Sequence, residues 1–240
     1  MKRIAFALAA GAAFFAIQPA QAAISLGAAQ CINKNIAPAD RVKYCKSYQQ
    51  DGIPNRNEQR VADFALALAY RLSGDLPNAE AEATIVVKED PNWVNAWMER
   101  STTYAEDGKL DLALADVEQL NTVNKDPALP DMQRCWVRAV AGKELDAALA
   151  DCNKALAVYP DSFAALLARA LVNFKRGDMA ASTADCTAAL VTKPKIAAAL
   201  YLRGVIQHNA DDIDAAKRLE PYIADEFAGY GVKPVDGDAK

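Results

Sequence analysis

The chain has 240 residues, 27 Lys and Arg against 31 Asp and Glu, a net charge of −4 and one histidine. That acidic balance gives no electrostatic footing for nucleic acid or an anionic membrane surface, and the lone His208 limits most hydrolytic mechanisms. Apolar residues make up 52% of the chain, ample for a continuous core. After the first residues, no stretch reaches the roughly eighteen uninterrupted apolar residues of a spanning helix.

Met1, Lys2 and Arg3 form a short positive stretch, Ile4 to Ile17 is apolar, and Ala20-Gln21-Ala22 is an A-x-A triplet. That order predicts a secretory signal peptide over residues 1–22, cleaved after Ala22, and a periplasmic mature chain starting at Ala23. The competing reading is a buried N-terminal helix. Cys31, behind Gln30, lies too far beyond the apolar run to suit lipid attachment. Cleavage removes Lys2 and Arg3 and no acid, so the net charge moves from −4 to −6.

Residues 23–56 carry Cys31 and Cys45 and read as a helical segment ahead of a periodic region over 57–220. Tyr70, Gly74 and Ala79 recur as Tyr104, Gly108 and Ala113, each 34 residues on, while Pro91 and Pro127 are 36 apart. A third copy holds Gly142, Ala148, Cys152 and Pro160. A fourth holds Gly177, Ser182, Cys186 and Pro194, so that cysteine and proline again step by 34. Arg203-Gly204 opens a fifth copy that is cut short, because Asp211 to Leu219 is too brief for a full second helix.

Each copy predicts two helices. The first has apolar residues at helical spacing, as in Phe64, Leu68 and Leu72, and stops at a glycine that can turn left-handed. The second runs to a proline, which cannot continue it. Small residues fall where the two helices must cross: Ala67 with Ala79, Ser101 with Ala113, Ala170 with Ser182. One such hairpin cannot bury its apolar face alone and a stack of them can, which predicts an all-α solenoid. An additional residue around Lys143-Glu144 leaves the register of the third copy's first helix open by one position. Residues 221–240 read as a capping helix, near Pro221 to Ala228, followed by a frayed tail.

This pattern resembles the tetratricopeptide repeat (TPR): a 34-residue period, an aromatic late in the first helix, a glycine after it, a small residue early in the second and a closing proline. The resemblance covers about residues 57–220. It implies a right-handed superhelical solenoid of about four helix-turn-helix units plus a truncated C-terminal capping unit. The stretches Arg134 to Ala139 and Leu145 to Cys152, with the ending Ala215-Ala216-Lys217…Phe227-Ala228…Tyr230-Gly231-Val232, are similar to exported repeat proteins of alphaproteobacteria. That second likeness suggests a source and a compartment more than an activity.

Repeats of this family line a concave face with positions two, five, nine and twelve of each first helix. Carried over residue by residue, the first copy offers Val61, Phe64, Leu68 and Arg71, and the second Asn95, Met98, Thr102 and Ala105. The third offers Met132, Trp136 and Ala139, and the fourth Ala164, Leu167, Leu171 and Phe174. The fifth offers Ala198, Tyr201, Val205 and His208. The set is more apolar than a solvated surface, which marks a site for a protein or peptide partner. It lacks the Lys and Asn of the family's carboxylate clamp. Three arrangements stay open: a free groove, a groove covered by residues 23–55, and one filled by a second protomer in a homo-oligomer.

Two bridges among five thiols allow fifteen pairings. The hairpin geometry implied by the resemblance brings Cys135 and Cys152 within reach, allows Cys31 and Cys45 to pair across a hairpin of their own, and leaves Cys186 free. The alternative is five reduced cysteines serving as small apolar residues. Nothing in the sequence asks for catalysis, a metal or a cofactor. No G-x-S-x-G, H-E-x-x-H, C-x-x-C, phosphate loop or EF-hand pattern is present. Acid pairs such as Asp111 with Asp116 and Asp211 with Asp212 read as helix-start or exposed residues that offset the helix dipole.

Overall fold

The described residues of this computed structural model are 26–50, 52 and 56–233. The expected signal peptide over 1–22 and the expected frayed tail from 234 onward lie outside them. Thirteen α-helices and no strand are found among the described residues. Two helices, α1 (Leu26–Ile32) and α2 (Pro38–Gln50), precede five hairpins. These are α3 (Arg56–Leu72) with α4 (Leu76–Glu89), α5 (Val94–Glu106) with α6 (Leu110–Val123), α7 (Leu129–Ala141) with α8 (Leu145–Val158), α9 (Phe163–Arg176) with α10 (Met179–Thr192), and α11 (Ala197–Gln207) with α12 (Ala210–Leu219). A short helix, α13 (Ile223–Gly229), ends the chain of elements. First helices pack on first helices and each second helix on the next first helix, which makes a solenoid.

The turns follow from local chemistry. Gly74 sits at φ +80° after α3, and the amides of Gly74 and Asp75 turn back to Arg71 and Tyr70. Asp75 then accepts from the amide of Asn78 and opens α4. The inserted residue of the third copy is absorbed in the same place: after Gly142, Glu144 also takes a positive φ of 51° and caps α8. Where the helices of a hairpin cross, Ala67 and Ala79, Ser101 and Ala113, and Ala170 and Ser182 are fully buried. The Ser182 hydroxyl donates to the Ala170 carbonyl at 2.7 Å, so the polar residue placed at that crossing is satisfied. Cys135 holds the same crossing position in the third hairpin and is bonded to Cys152, with Cα atoms 5.3 Å apart.

A ladder of ion pairs ties first helix to second helix in successive hairpins. Arg100 grips Asp116 with two contacts of 2.7 Å, Arg169 grips Asp185 at 2.7 and 3.0 Å, and Arg203 grips Asp212 at 2.7 and 3.0 Å. In the third hairpin Arg138 pairs with Asp151. Asp116 is therefore not a helix-start or surface acid, as the sequence suggests, but a buried partner of arginine. Two-pronged arginine–carboxylate pairs fix geometry as well as charge.

Both ends are closed by additional helices. The disulfide Cys31–Cys45, with Cα atoms 4.7 Å apart, closes the α1–α2 hairpin. That hairpin packs on α3, burying Cys31 and Cys45 with Leu66 and Tyr70. The described residues of the N-terminal segment thus cap the first repeat and do not line the cleft between the first helices. At the other end α13 does more than cover the last repeat. It packs on α11 and α12 and reaches across to α3, the first helix of the first repeat. An exposed ion pair, Lys34 to Glu220 at 3.2 Å, joins the same two ends.

Candidate functional site: a cleft on the concave face

Four first helices and the C-terminal segment enclose a cleft of about 370 Å³. Helix α3 contributes Phe64 and Arg71, α5 contributes Asn95, Met98 and Thr102, α7 contributes Met132 and Trp136, and α9 contributes Leu167. The helical repeat puts these residues one turn apart on the concave side, so the wall is apolar along its length. Phe64 is held by Trp93, with ring centroids 4.9 Å apart. Trp136 meets Tyr230 edge to face at 5.1 Å, and the contact continues through Phe227 to Tyr201 at 5.5 and 5.2 Å.

The cleft floor is polar. Arg71 is buried, and its Nε donates to Glu99 Oε1 at 2.6 Å. Its Nη1 donates to Glu106 at 2.5 Å and to the Tyr230 hydroxyl at 3.2 Å. The Tyr230 hydroxyl in turn donates to Glu226 Oε1 at 2.7 Å, which lies 3.9 Å from Arg71 Nη2. Burial opposes the Arg71 charge, but Glu99, Tyr230, Glu106 and Glu226 outweigh it and hold the guanidinium well above its usual range. Burial pushes the carboxyls of Glu106 and Glu226 upward, and Arg71 only partly offsets it. Burial likewise lifts the Tyr230 hydroxyl well above the usual phenol range. Arg71 and Glu226 also border a second cavity of about 530 Å³ on the far side of α13, lined by Pro38, Leu72 and Tyr222 among others. Arg71 and Glu226, clasped through Tyr230, are thus a charged border common to both cavities.

Of the concave residues expected from sequence, Phe64, Arg71, Asn95, Met98, Thr102, Met132, Trp136, Ala164 and Leu167 line the cleft. The others do not. Leu171 and Tyr201 are fully buried and Val205 nearly so, in the core that also holds Phe227 and Tyr230. Helix α13 lies on α11, so the concave side of the last repeat is interior. Phe174 is half-buried against that core, and Leu68 is half-buried away from the cleft. His208 is exposed at the left-handed C-cap of α11. Val61 is exposed outside the cleft, Ala105 and Ala139 are buried, and Ala198 is half-buried in the core.

Sequence reasoning missed Glu99, Gln133, Phe163, Glu226 and Tyr230, which also line the cleft. Glu99 and Gln133 directly follow Met98 and Met132, so a register one residue wider on the second and third first helices includes them. No signal in the sequence places Glu226 and Tyr230 opposite Arg71. Among the described residues, no group of three or more His, Cys, Asp or Glu is set to hold a metal ion, and no helix is long and apolar enough to cross a membrane.

No protein-family model and no curated protein matches the sequence. Solved structures do. A thermophilic TPR protein from Thermus thermophilus superposes with a TM-score of 0.56 at 22% identity, over 72% of this chain and 90% of that one. A tetratricopeptide repeat protein from Parabacteroides merdae gives 0.57 at 17% identity, over 78% and 77%. The Cut9–Hcn1 hetero-tetramer of the APC/C gives 0.55 at 17% identity, over 85% of this chain and 42% of that one. With the hairpin stack, these likenesses define the class: the chain has the fold of a TPR solenoid.

Proposed function

We propose that the protein is a non-enzymatic interaction scaffold of the bacterial envelope, which binds a peptide or a partner's helix in the concave cleft. One observation carries the reading: Phe64, Met98, Met132, Trp136 and Leu167, from four successive first helices, leave a preformed apolar cleft. A pre-ordered surface of this kind keeps the ordering cost of binding low, and Met with aromatic residues suits adaptable apolar contact.

Peptides of about a dozen residues selected on the mature protein test the site. They are expected to lose binding to Met98→Glu or Leu167→Glu, each confirmed folded by circular dichroism. Selected peptides that bind both variants as well as the parent would move the site off the cleft. The envelope assignment rests on the residue order of the N-terminus. A fusion of residues 1–30 to alkaline phosphatase is expected to be active, and the mature chain to begin at Ala23. An inactive fusion, or a mature protein beginning at Met1, would remove it. The second reading, a subunit of a larger envelope assembly, draws on the apolar side chains exposed outside the cleft, Val191 among them.

A further inference from the structure

The polar groups of the cleft are one-sided. Every nitrogen of Arg71 is already directed at Glu99, Glu106, Glu226 or Tyr230. Gln133 Nε2 donates into α5, to the Met98 carbonyl at 3.2 Å and the hydroxyls of Ser101 and Thr102 at 3.0 and 3.3 Å. Thr102 spends its own proton on the Met98 carbonyl at 2.9 Å. What remains is acceptors. Gln133 is 2% exposed, lines the cleft, and receives no donor at Oε1 among the described residues. Glu226 uses Oε1 for Tyr230, and no described residue donates to its Oε2. Neither oxygen is among the buried atoms left without a partner, and the Glu226 side chain is 28% exposed, so both acceptors stay open to a donor that a ligand brings.

The charge points the same way. Glu99, Glu106 and Glu226 face Arg71, and among the described residues the other cation acting on this cluster is Arg41 on α2, which Glu99 attracts. Three carboxylates against two guanidinium groups leave the floor negative. The walls above it are Met98, Met132, Trp136 and Leu167. A long basic side chain has that profile, an apolar stem ending in a cation. The volume of about 370 Å³ is at the small end of ligand pockets, which run from about 300 to 1,000 Å³. It suits one or two anchoring side chains rather than a whole helix.

We infer that the cleft selects a lysine or arginine side chain of a partner peptide, flanked by apolar residues, with its charged end at Gln133 Oε1 and the Glu226 carboxylate. The inference rests on the peptide-binding reading and makes it specific. It replaces a general apolar groove with a site that discriminates by charge.

Fluorescence anisotropy with three labelled peptides tests it. They share one frame of leucine, phenylalanine and glycine and differ at a central residue: lysine, norleucine or glutamate. The lysine peptide is expected to bind at least about tenfold more tightly than the norleucine peptide, or ~1.4 kcal/mol, with the glutamate peptide weakest. Glu226→Gln, checked for an unchanged circular dichroism spectrum, is expected to bring the lysine preference below about threefold without weakening the norleucine peptide. Asp111→Asn, exposed on α6 and outside the cleft, is expected to leave it intact. Equal or tighter binding of the norleucine peptide to the parent protein overturns the inference and leaves the peptide-binding reading standing. No binding by any of the three overturns both. Displacement of the lysine peptide by free phenethylammonium at concentrations where norleucine peptide has no effect overturns the assignment to a peptide side chain.

Discussion

Arg71 and Tyr230, 159 residues apart, are in direct contact: the guanidinium Nη1 donates to the phenol oxygen at 3.2 Å. The bond joins the first helix of the first repeat to the segment after the last helix. A stack of hairpins has contacts only between neighbours unless its superhelix brings the ends together. Here it does, and the closure leaves two cavities that share Arg71 and Glu226 as a charged border.

Removal of Arg71 tests that closure. Arg71→Met leaves Glu99, Glu106 and Glu226 crowded, without the guanidinium that contacts all three. Breaking a buried pair in this way costs on the order of 3–5 kcal/mol. The urea midpoint is expected to fall accordingly, while Tyr230→Phe, which keeps the ring contact with Trp136, is expected to cost about 1 kcal/mol. An Arg71→Met protein as stable as the parent would mean that the clasp contributes nothing.

The pH dependence follows from the same acids. Burial raises the carboxyl pKa of Glu106 and Glu226, and burial also raises those of Asp63, Glu82 and Asp116. A carboxyl whose folded pKa lies above its unfolded one takes up protons more readily when folded. Its contribution to stability is full below the unfolded value, ~4.3 for glutamate, and is lost as pH rises through the folded value. Acidification from neutral pH toward the unfolded glutamate value of ~4.3 is therefore expected to raise the urea midpoint, and Glu106→Gln to flatten the rise. A midpoint that falls steadily over this window would contradict the assignment.

The periodic parts of this architecture were legible in the sequence because each repeat makes the same local demands. Glycine and proline positions mark the hairpins, the small residues mark the crossings, and the pairing of Cys135 with Cys152 follows from the hairpin that holds them. The arginine–aspartate ladder was equally periodic and was overlooked. Arg100, Arg134, Arg169 and Arg203 recur every 34 or 35 residues, as do Asp116, Asp151 and Asp185. In the third hairpin the aspartate is taken mainly by Arg138, while Arg134 turns to Asp131 and Glu118. The cleft was half legible. Phe64, Met98, Met132, Trp136 and Leu167 follow from helix register, but the burial of Leu171, Tyr201 and Val205 depends on where α13 lands. That landing is set by the summed twist of five hairpins, which no local pattern encodes.

The cysteines make a separate prediction. The Cys135–Cys152 bridge closes a loop of 17 residues, for which loop entropy gives about 3 kcal/mol. The double variant Cys135→Ala, Cys152→Ala is expected to unfold at a urea midpoint lower by a corresponding amount. Cys186 is buried, and burial pushes its thiol up to about 12. It is expected to resist maleimide in the native protein and to react once in urea. Rapid native labelling at Cys186 would show that α10 and α11 open locally.

Close packing of α11 on α12 depends on a missing side chain. A Cβ on Gly204 would lie 2.8 Å from Ile213 Cγ1 and 3.0 Å from the Ile213 amide nitrogen. Gly204→Ala is expected to cost about 1–3 kcal/mol, although alanine is the better helix former. Thermal unfolding measures this, and a neutral or stabilised variant would mean that the two helices separate at little cost.

Site-specific cross-linking in living cells tests the functional claim most directly. Benzoylphenylalanine replaces Met132 in the cleft in one strain and the exposed Ile85 on α4 in another. Irradiation is expected to give a discrete protein adduct from position 132 and none from position 85, and Met98→Glu in the same chain is expected to abolish it. An adduct from position 85 alone, or one from position 132 that survives Met98→Glu, would contradict binding in the cleft.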